Sequence, residues 1–386
     1  MIKRAIESQI EEYLKSDNNK ILFIWGPRRS GKTTLLKKYS KELEVPVFNF
    51  DLQSHRERFL PDLSILKKIV DEHKVILIDE VQNYPESSLA LKILFDEFRV
   101  KIIATGSSEL RQTSKDFDSL AGRFTQTYCL PLAVSEIEAG EEIKTYEKKN
   151  ALERYRTHGQ IFGMYPEVYI AGGDESEKTE LLQNLLDTYV LKDVIDIYNL
   201  RNAKLAKDIL TKIALQIGSE VSIREIASSL QANVATVSSY IEIFIKNYIL
   251  IPVSSFKTNR RKSVSELRKL YFYDLGIRNI LVRDFRPLEL RPDKGGVFEN
   301  FVVSEIEKRR RITRINVNLY FYREYGGKEI DLVLEDYHKN YACVEIKTKK
   351  EITHDIFPLP HKLEIVTNEN YFEKIEGLFD GHVFSL

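Results

Sequence analysis

The feature that most constrains this chain is an eight-residue segment between a short apolar run and a helical pattern. Residues 26–33 read GPRRSGKT and match the phosphate-loop pattern GxxxxGK[ST] at every position, directly after the apolar run Ile21–Trp25. In such a loop, backbone N–H groups surround a phosphate, the lysine reaches the β and γ oxygens, and the threonine hydroxyl binds Mg²⁺. We therefore expect ATP and Mg²⁺ to bind here. The predicted nucleotide-binding residues are Gly26, Pro27, Arg28, Arg29, Ser30, Gly31, Lys32, Thr33, Thr34 and, further along the chain, Ser107.

Short apolar runs in residues 1–135 predict the sheet that carries this loop. They are Ile21–Trp25, Val45–Phe50, Val75–Ile78, Val100–Thr105 and Tyr128–Leu132. Because longer amphipathic stretches separate them, the pattern predicts an α/β fold in which helices cover a parallel sheet. Residues 136–205 contain no convincing strand, and we expect them to form a helical lid.

Two carboxylates end the third apolar run. Asp79 and Glu80 directly follow Val75–Ile78. A buried strand that ends in two acids predicts Asp79 as a metal ligand beside Thr33, and Glu80 as the base that polarises the attacking water. With Lys32 as a second catalytic residue, this pairing favours hydrolysis of the nucleotide. The alternative is a helix cap after a strand.

Two later polar positions complete the predicted catalytic set. Ser107 follows the run Val100–Thr105 and is placed to sense the γ-phosphate, although a turn at a strand end explains it almost as well. Arg123 is a candidate for stabilising transition-state charge, either within its own chain or in the site of a neighbouring subunit. A surface salt bridge is the alternative for this arginine.

From residue 206 onward the pattern becomes three helices followed by a hairpin. This order predicts a winged helix over residues 206–285. Its third helix has no Arg or Lys between Gln231 and Ile245, so we expect any DNA to be held through its phosphates instead of its base edges. Solvated surface charge is the alternative. The basic residues concerned are Lys257, Arg260, Arg261 and Lys262 in the wing, and Lys308, Arg309, Arg310, Arg311 and Arg314.

Several motifs together resemble one family. The phosphate loop, the segments DEVQNYP at Asp79–Pro85, GSS at Gly106–Ser108 and LAGR at Leu120–Arg123 resemble the AAA-like ATPases of archaea and bacteria that end in a nuclease-like domain of unknown function. The resemblance covers most of the chain. It implies an ATPase core, a winged helix, and a PD-(D/E)XK, restriction-endonuclease-like α/β fold over residues 286–386. Further matching segments are Gly163–Glu167, Lys269–Gly276 and Phe298–Asn300.

Charged residues in the last segment fit the layout of such nucleases. Glu299 lies on a predicted helix, Asp331 interrupts an apolar strand, and Glu345 and Lys347 are two apart on the next strand and so share a face. The resemblance implies Glu299, Asp331 and Glu345 as ligands of Mg²⁺ or Mn²⁺, and Lys347 as the catalytic lysine. The alternative is a strand with solvated charges. Prolines at 358 and 360 shorten the following helix, which argues against cleavage.

Composition excludes some classes of protein. Lys plus Arg equals Asp plus Glu at 58 each, so nucleic acid can bind only through local patches. The chain has two cysteines, too few for a disulfide framework, and we expect a reducing cytoplasm and no membrane partner.

Two functional hypotheses follow. One is a Mg²⁺-dependent ATPase, with a homo-oligomer as one option for its assembly, that moves the winged helix and nuclease-like domain on DNA. The other is a nucleotide-gated binding or signalling module without cleavage.

Overall fold

The computed structural model describes residues 2–107, 120–172, 174–193, 202–257, 268–324, 326–349 and 355–379. The chain divides into two compact units. The N-terminal unit comprises Lys3–Leu130 with Lys246–Tyr248, and the C-terminal unit comprises Pro131–Ile245 and Ile249–Leu386 with Met1–Ile2. None of the helices in the described ranges combines the length and the apolar character that a bilayer crossing requires.

A five-stranded parallel sheet forms the centre of the N-terminal unit, in the order β2-β3-β4-β1-β5. This confirms the expected α/β fold. The strands are β1 Ile21–Trp25, β2 Val47–Asn49, β3 Val75–Asp79, β4 Lys101–Gly106 and β5 Phe124–Tyr128. The helices are α1 Glu7–Lys15, α2 Lys32–Leu43, α3 Gln53–Glu57, α4 Leu63–Glu72 and α5 Ser87–Ile93, which continues as π-helical turns over Leu94–Phe98, and a 3-10 turn covers Val81–Asn83.

The last strand of this sheet lies four residues earlier than predicted. The apolar run Tyr128–Leu132 was the expected strand, but β5 spans Phe124–Tyr128. Because β5 is at the edge of the sheet and only its last two residues are buried, it needs no continuous apolar run. The prediction was therefore wrong here: residues 129–132 are buried but lie beyond the strand.

Central strand β1 is buried along its whole length. Its Leu22 and Ile24 belong to an apolar cluster that also receives Ile10 from α1 and Leu35 and Leu36 from α2. Because helices pack on this strand, its carboxyl end, where the phosphate loop begins, is anchored in the packed core of the unit.

The C-terminal unit combines helices with one seven-stranded sheet of order β12-β11-β10-β9-β7-β8-β6. The strands are β6 Glu220–Val221, β7 Leu250–Ser255, β8 Arg268–Phe272, β9 Asn318–Arg323, β10 Glu329–Glu335, β11 Tyr341–Ile346 and β12 Lys362–Val366. The helices are α6 Val134–Gly140, α7 Lys148–Ile161, α8 Pro166–Ile170, α9 Glu175–Leu185 with π-helical turns over Leu186–Asp193, α10 Ala203–Leu215, α11 Ile223–Ser229, α12 Val234–Lys246, α13 Leu275–Val282, α14 Lys294–Thr313 and α15 Tyr371–Phe379, with a 3-10 turn at Leu288–Leu290.

One strand pairing joins segments that the sequence separates. Strand β7 pairs in parallel with β9 through Ser254 with Tyr320 and Ser255 with Phe321. The hairpin of the predicted winged helix therefore continues into the sheet of the last predicted domain. Phe256, just after β7, contacts rings from that domain, including Tyr320 and Phe357. The short helix expected before β12 is absent from described residues 355–361.

Candidate functional site

The phosphate loop lies where the chain leaves β1 and enters α2. A Cβ atom on Gly26 would collide with the backbone carbonyl of Cys129, and Gly31 has a φ of 103°, a left-handed conformation that favours glycine. Backbone geometry therefore requires both glycines of the motif. Of the other predicted residues, Pro27, Ser30 and Lys32 are buried, Arg28 is half-buried, and Arg29, Thr33 and Thr34 are exposed.

Two cationic side chains are hydrogen-bonded to the loop backbone. Lys32 Nζ donates to the carbonyl oxygens of Gly26 and Pro27, each at 2.8 Å. Burial lowers the pKa of Lys32, while Glu80 and Asp79 act in the opposite direction. Arg4, which sequence reasoning missed, donates to Ser30 O at 2.6 Å from outside the loop. No local pattern could have found Arg4, since it lies 26 residues before its partner.

Asp79 is the centre of the polar network beside the loop. Its Oδ2 accepts a 2.7 Å hydrogen bond from Thr33 Oγ1, and its Oδ1 accepts from Thr105 Oγ1 and from Glu80 N. The carboxylate is buried, at 3% exposure. Thr33 and Asp79 are thus brought together as predicted and offer the oxygen donors that Mg²⁺ prefers, so this pair fits the ion. Thr105 lies in the hydroxyl-bearing segment expected at the end of a core strand, but its contact with Asp79 was not predicted; it is the second-last residue of β4, which pairs with β3.

Glu80 has an unusual backbone conformation and a specific partner. Its φ of 54° lies in the left-handed region, where a residue with a Cβ is strained. Gln82 Nε2 donates to Glu80 Oε2 and, at 3.1 Å, to Ser107 Oγ. The predicted residues Glu80 and Ser107 are therefore connected through an amide that sequence reasoning missed. The visible signal was a polar side chain two residues after the acid.

Arg123 lies at the opposite end of the sheet from the phosphate loop. It directly precedes β5, its carbonyl accepts from Ile21 N at 2.9 Å, and Ile21 is the first residue of β1. The loop follows the last residue of β1, which at about 3.3 Å per residue is roughly 13 Å away. Arg123 instead forms two hydrogen bonds to Asp96, of 2.8 and 3.0 Å, and this arginine lowers the pKa of Asp96. A role within its own chain is not supported by this placement.

The C-terminal residues predicted as metal ligands do come together. Lys347 Nζ lies 3.0 Å from Glu345 Oε2 and 3.5 Å from Asp331 Oδ2, which also accepts from Ile346 N at 2.7 Å. Burial raises the pKa of both Glu299 and Glu345, and the nearby charge of Asp331 raises it further. Glu299 on α14, Asp331 on β10 and Glu345 on β11 are therefore close enough to interact.

Unpredicted residues of strands β8 and β10 complete this cluster. Lys269 Nζ is paired with Glu299 Oε1, at 3.0 Å, and with Glu329 Oε1. Tyr271 donates to the same oxygen of Glu299 at 2.6 Å. Burial opposes the charge of Lys269, but Glu299 and Glu329 outweigh it and raise the pKa of Lys269. In the described part of the chain, no three or more His, Cys, Asp or Glu side chains are arranged to hold a metal ion.

The basic residues at the end of α14, Lys308–Arg311, form ion pairs within the C-terminal unit. Lys308 is buried and pairs with Glu305 at 2.8 Å. The arginines at 309, 310 and 311 each pair with a glutamate. Because Lys308 is buried, the prediction that it grips a phosphate is wrong. Arg310 and Arg311 share one carboxylate, that of Glu307, so these pairs do not cancel all the positive charge of the run, and phosphate binding by the arginines stays a prediction. The wing residues Arg260, Arg261 and Lys262, and Ser108, lie outside the described residues.

Comparisons with known proteins match the chain in three parts. Residues 18–138 match a family model described as an AAA domain. Residues 153–289 and 294–364 match models that are each described as a domain of unknown function, DUF8612 and DUF4143.

Relatives and solved structures of similar proteins were also found. An uncharacterized protein of Methanocaldococcus jannaschii, MJ1544, is 27% identical and aligns over 96% of this chain and 87% of its own length. An uncharacterized protein of Haemophilus influenzae is 21% identical over 72% of this chain and 73% of its own length. The Holliday junction branch migration motor RuvB of Thermotoga maritima has a TM-score of 0.31 and 14% identity, covering 64% of this chain and 88% of that one. The family match over residues 18–138 and the phosphate-loop geometry together support an AAA-like, ATP-binding P-loop domain in the N-terminal unit.

Proposed function

We propose that the chain is a Mg²⁺-dependent ATPase that hydrolyses ATP in its N-terminal unit. The observation that carries this proposal is the network around Asp79, in which Thr33, Thr105 and the backbone of Glu80 all contact one buried carboxylate. Thr33 and Asp79 would hold Mg²⁺, which would neutralise phosphate charge when bound.

Each residue of the network has a separate task. Lys32, now bonded to two loop carbonyls, supplies a positive charge that can move to the phosphates. Glu80 accepts the proton of the attacking water, and Gln82 fixes its carboxylate relative to Ser107. Glu80 is thus needed for turnover but not for binding.

The test compares two variants of the full chain. Lys32→Ala should weaken ATP binding and turnover together, whereas Glu80→Gln should bind ATP like the wild type and lose hydrolysis by about 100-fold or more. Binding is measured with a fluorescent ATP analogue and hydrolysis by phosphate release, with and without Mg²⁺. Lys37→Ala, an exposed lysine on the same helix, is the matched control. Normal turnover in Glu80→Gln would remove Glu80 from the catalytic role.

We further propose that the hydrolysis cycle acts on DNA, in the cytoplasm, through the C-terminal unit. The order α10, β6, α11, α12, β7, β8 agrees with that of a winged helix. Its third helix, α12, offers no arginine and a single lysine at its last residue, so binding should be electrostatic and indifferent to sequence. Replacing Arg260, Arg261 and Lys262 by Ala should flatten the salt dependence of DNA binding in an anisotropy titration. A strong preference for one DNA sequence would contradict this mode of binding.

A second candidate function is a nucleotide-gated binding module whose nuclease-like fold does not cleave. The pairing of Lys269 with Glu299 and Glu329 favours it, because cations of the chain already neutralise the predicted metal ligands. Incubating the full chain with plasmid DNA and Mg²⁺ or Mn²⁺ distinguishes the two. DNA retained without cuts supports the binding module.

A further inference from the structure

We infer that Lys269 and Lys347 are the resident cations of a four-carboxylate cluster, and that they stand where a divalent ion would be needed. The carboxylate cluster consists of Glu299, Glu329, Asp331 and Glu345. The C-terminal unit therefore takes no divalent ion at this position in the wild-type chain. This inference does not depend on ATP hydrolysis by the N-terminal unit.

Lys269 is the most constrained member of the group. Its side chain is 2% exposed, and an ammonium so buried is tolerated only when carboxylates pair with it. It contacts Oε1 of Glu299 and Oε1 of Glu329, which come from helix α14 and strand β10. The ammonium thus holds two elements together at one point, as a structural cation would.

Lys347 does the same for the other two acids. Its Nζ lies within 3.5 Å of both Glu345 and Asp331, and the backbone N–H of Ile346 uses Asp331 Oδ2 as well. On the other side, Tyr271 donates to the Glu299 oxygen that Lys269 contacts. Each of the four carboxylates has a lysine partner.

A divalent ion would have to displace these partners. Mg²⁺ or Mn²⁺ binds carboxylate oxygens at about 2.1 Å, and an oxygen of each of the four carboxylates is already in contact with a lysine Nζ. Two ammonium groups carry the same total charge as one divalent ion. The two lysines therefore already supply the positive charge that one divalent ion would bring to these four acids.

The test is a Mn²⁺ titration of the full chain without nucleotide. All variants carry Asp79→Asn, so that the carboxylate of the phosphate-loop site does not contribute. Free Mn²⁺ is measured by electron paramagnetic resonance, and the melting temperature is followed in parallel with and without Mn²⁺. We expect no saturable Mn²⁺ binding in this background. The variant that also carries Lys269→Met should bind Mn²⁺ at least about tenfold more tightly than the Asp79→Asn protein does at the same Mn²⁺ concentrations. Mn²⁺ should also raise the melting temperature of this variant.

Three further variants complete the test. Lys269→Arg keeps the positive charge and should stay indifferent to Mn²⁺. If Lys269→Met folds only with Mn²⁺, the inference is supported. If it does not fold at all, Lys269→Met with Glu329→Gln, which removes one charge of each sign, is titrated by the same criterion. Saturable binding in the Asp79→Asn background that Asp331→Asn abolishes would overturn the inference, as would a folded variant that gains no Mn²⁺ site. Neither result bears on ATP hydrolysis.

Discussion

Replacing Glu307 should reveal how much the basic run at the end of α14 contributes to stability. Glu307 is 2% exposed and accepts hydrogen bonds from Arg310, at 2.6 and 2.8 Å, from Arg311, at 2.8 Å, and from Tyr273, at 2.9 Å. Burial would raise the pKa of this carboxyl group, but the two arginines outweigh burial and lower it from 4.5 to about 2.

The magnitude follows from this pKa. A carboxyl group whose folded-state pKa is lowered stabilises the fold above its unfolded pKa, and that stabilisation disappears as the pH falls from about 4.5 to about 2. At 1.36 kcal/mol per pKa unit, the contribution of Glu307 at pH 7 is about 3 kcal/mol. Glu307→Gln should therefore lower the free energy of unfolding by about 3 kcal/mol at pH 7 and by little near pH 2.

The assay must separate the two units. The chain has a single tryptophan, Trp25, which lies in the N-terminal unit, so its fluorescence follows urea unfolding of that unit alone. Hydrogen exchange in peptides of α14 reports the C-terminal unit. The matched control is Glu376→Gln, which breaks the 2.7 Å pair with Arg309, a pair in which both side chains are 23% exposed. Its cost should stay below about 1 kcal/mol. Equal effects of the two substitutions, or a loss in Glu307→Gln that is the same at pH 7 and pH 3, would refute the reasoning.

Two other predictions concern the ATPase site. Gln82→Ala should lower kcat at nearly unchanged KM for ATP, because the substitution removes the hydrogen-bond donor to Glu80 and leaves Lys32 in place. Asn83→Ala on the same turn is the control. A raised KM with normal kcat in Gln82→Ala would contradict a positioning role for Gln82. Arg123→Ala subunits mixed with Lys32→Ala subunits should regain part of the lost activity if Arg123 acts in a neighbour's site. Absence of rescue, while the subunits still associate, would exclude the shared site.

The sequence predicted the N-terminal unit well because its signals are local. The phosphate loop follows an apolar strand, and Asp79 and Glu80 follow another, so parallel pairing alone brings Thr33 and Asp79 to the same edge of the sheet. The partners of these residues were missed because they come from elsewhere in the chain. Arg4 reaches the loop from a distant position, and nothing near it in the sequence marks that contact. Thr105 reaches Asp79 from the neighbouring strand, directly after the pair of Ile78 with Ala104.

In the C-terminal unit, strand pairing creates contacts that the sequence spacing alone could not predict. Spacing placed Glu345 and Lys347 on one face, and the same strands brought Asp331 beside them. Lys269 belongs to the predicted winged helix, and its contact with Glu329 exists only because β7 connects β8 to the strands β9 and β10. That connection depends on two serine positions at the end of β7, which carry no apolar or catalytic signal.

If Lys269 has the inferred role, the same contact makes metal-dependent nuclease chemistry difficult to combine with this fold. A buried lysine costs several kcal/mol unless carboxylates pair with it, and a group of buried carboxylates is equally unfavourable without cations. Once Lys269 supplies the positive charge, Glu299 and Glu329 are needed to stabilise the lysine and are no longer free to ligate an ion. Selection for a stable junction between the strands of the predicted winged helix and those of the predicted nuclease-like domain would then act against metal binding. Restoring a metal site should therefore require the loss of Lys269, at the expense of that junction.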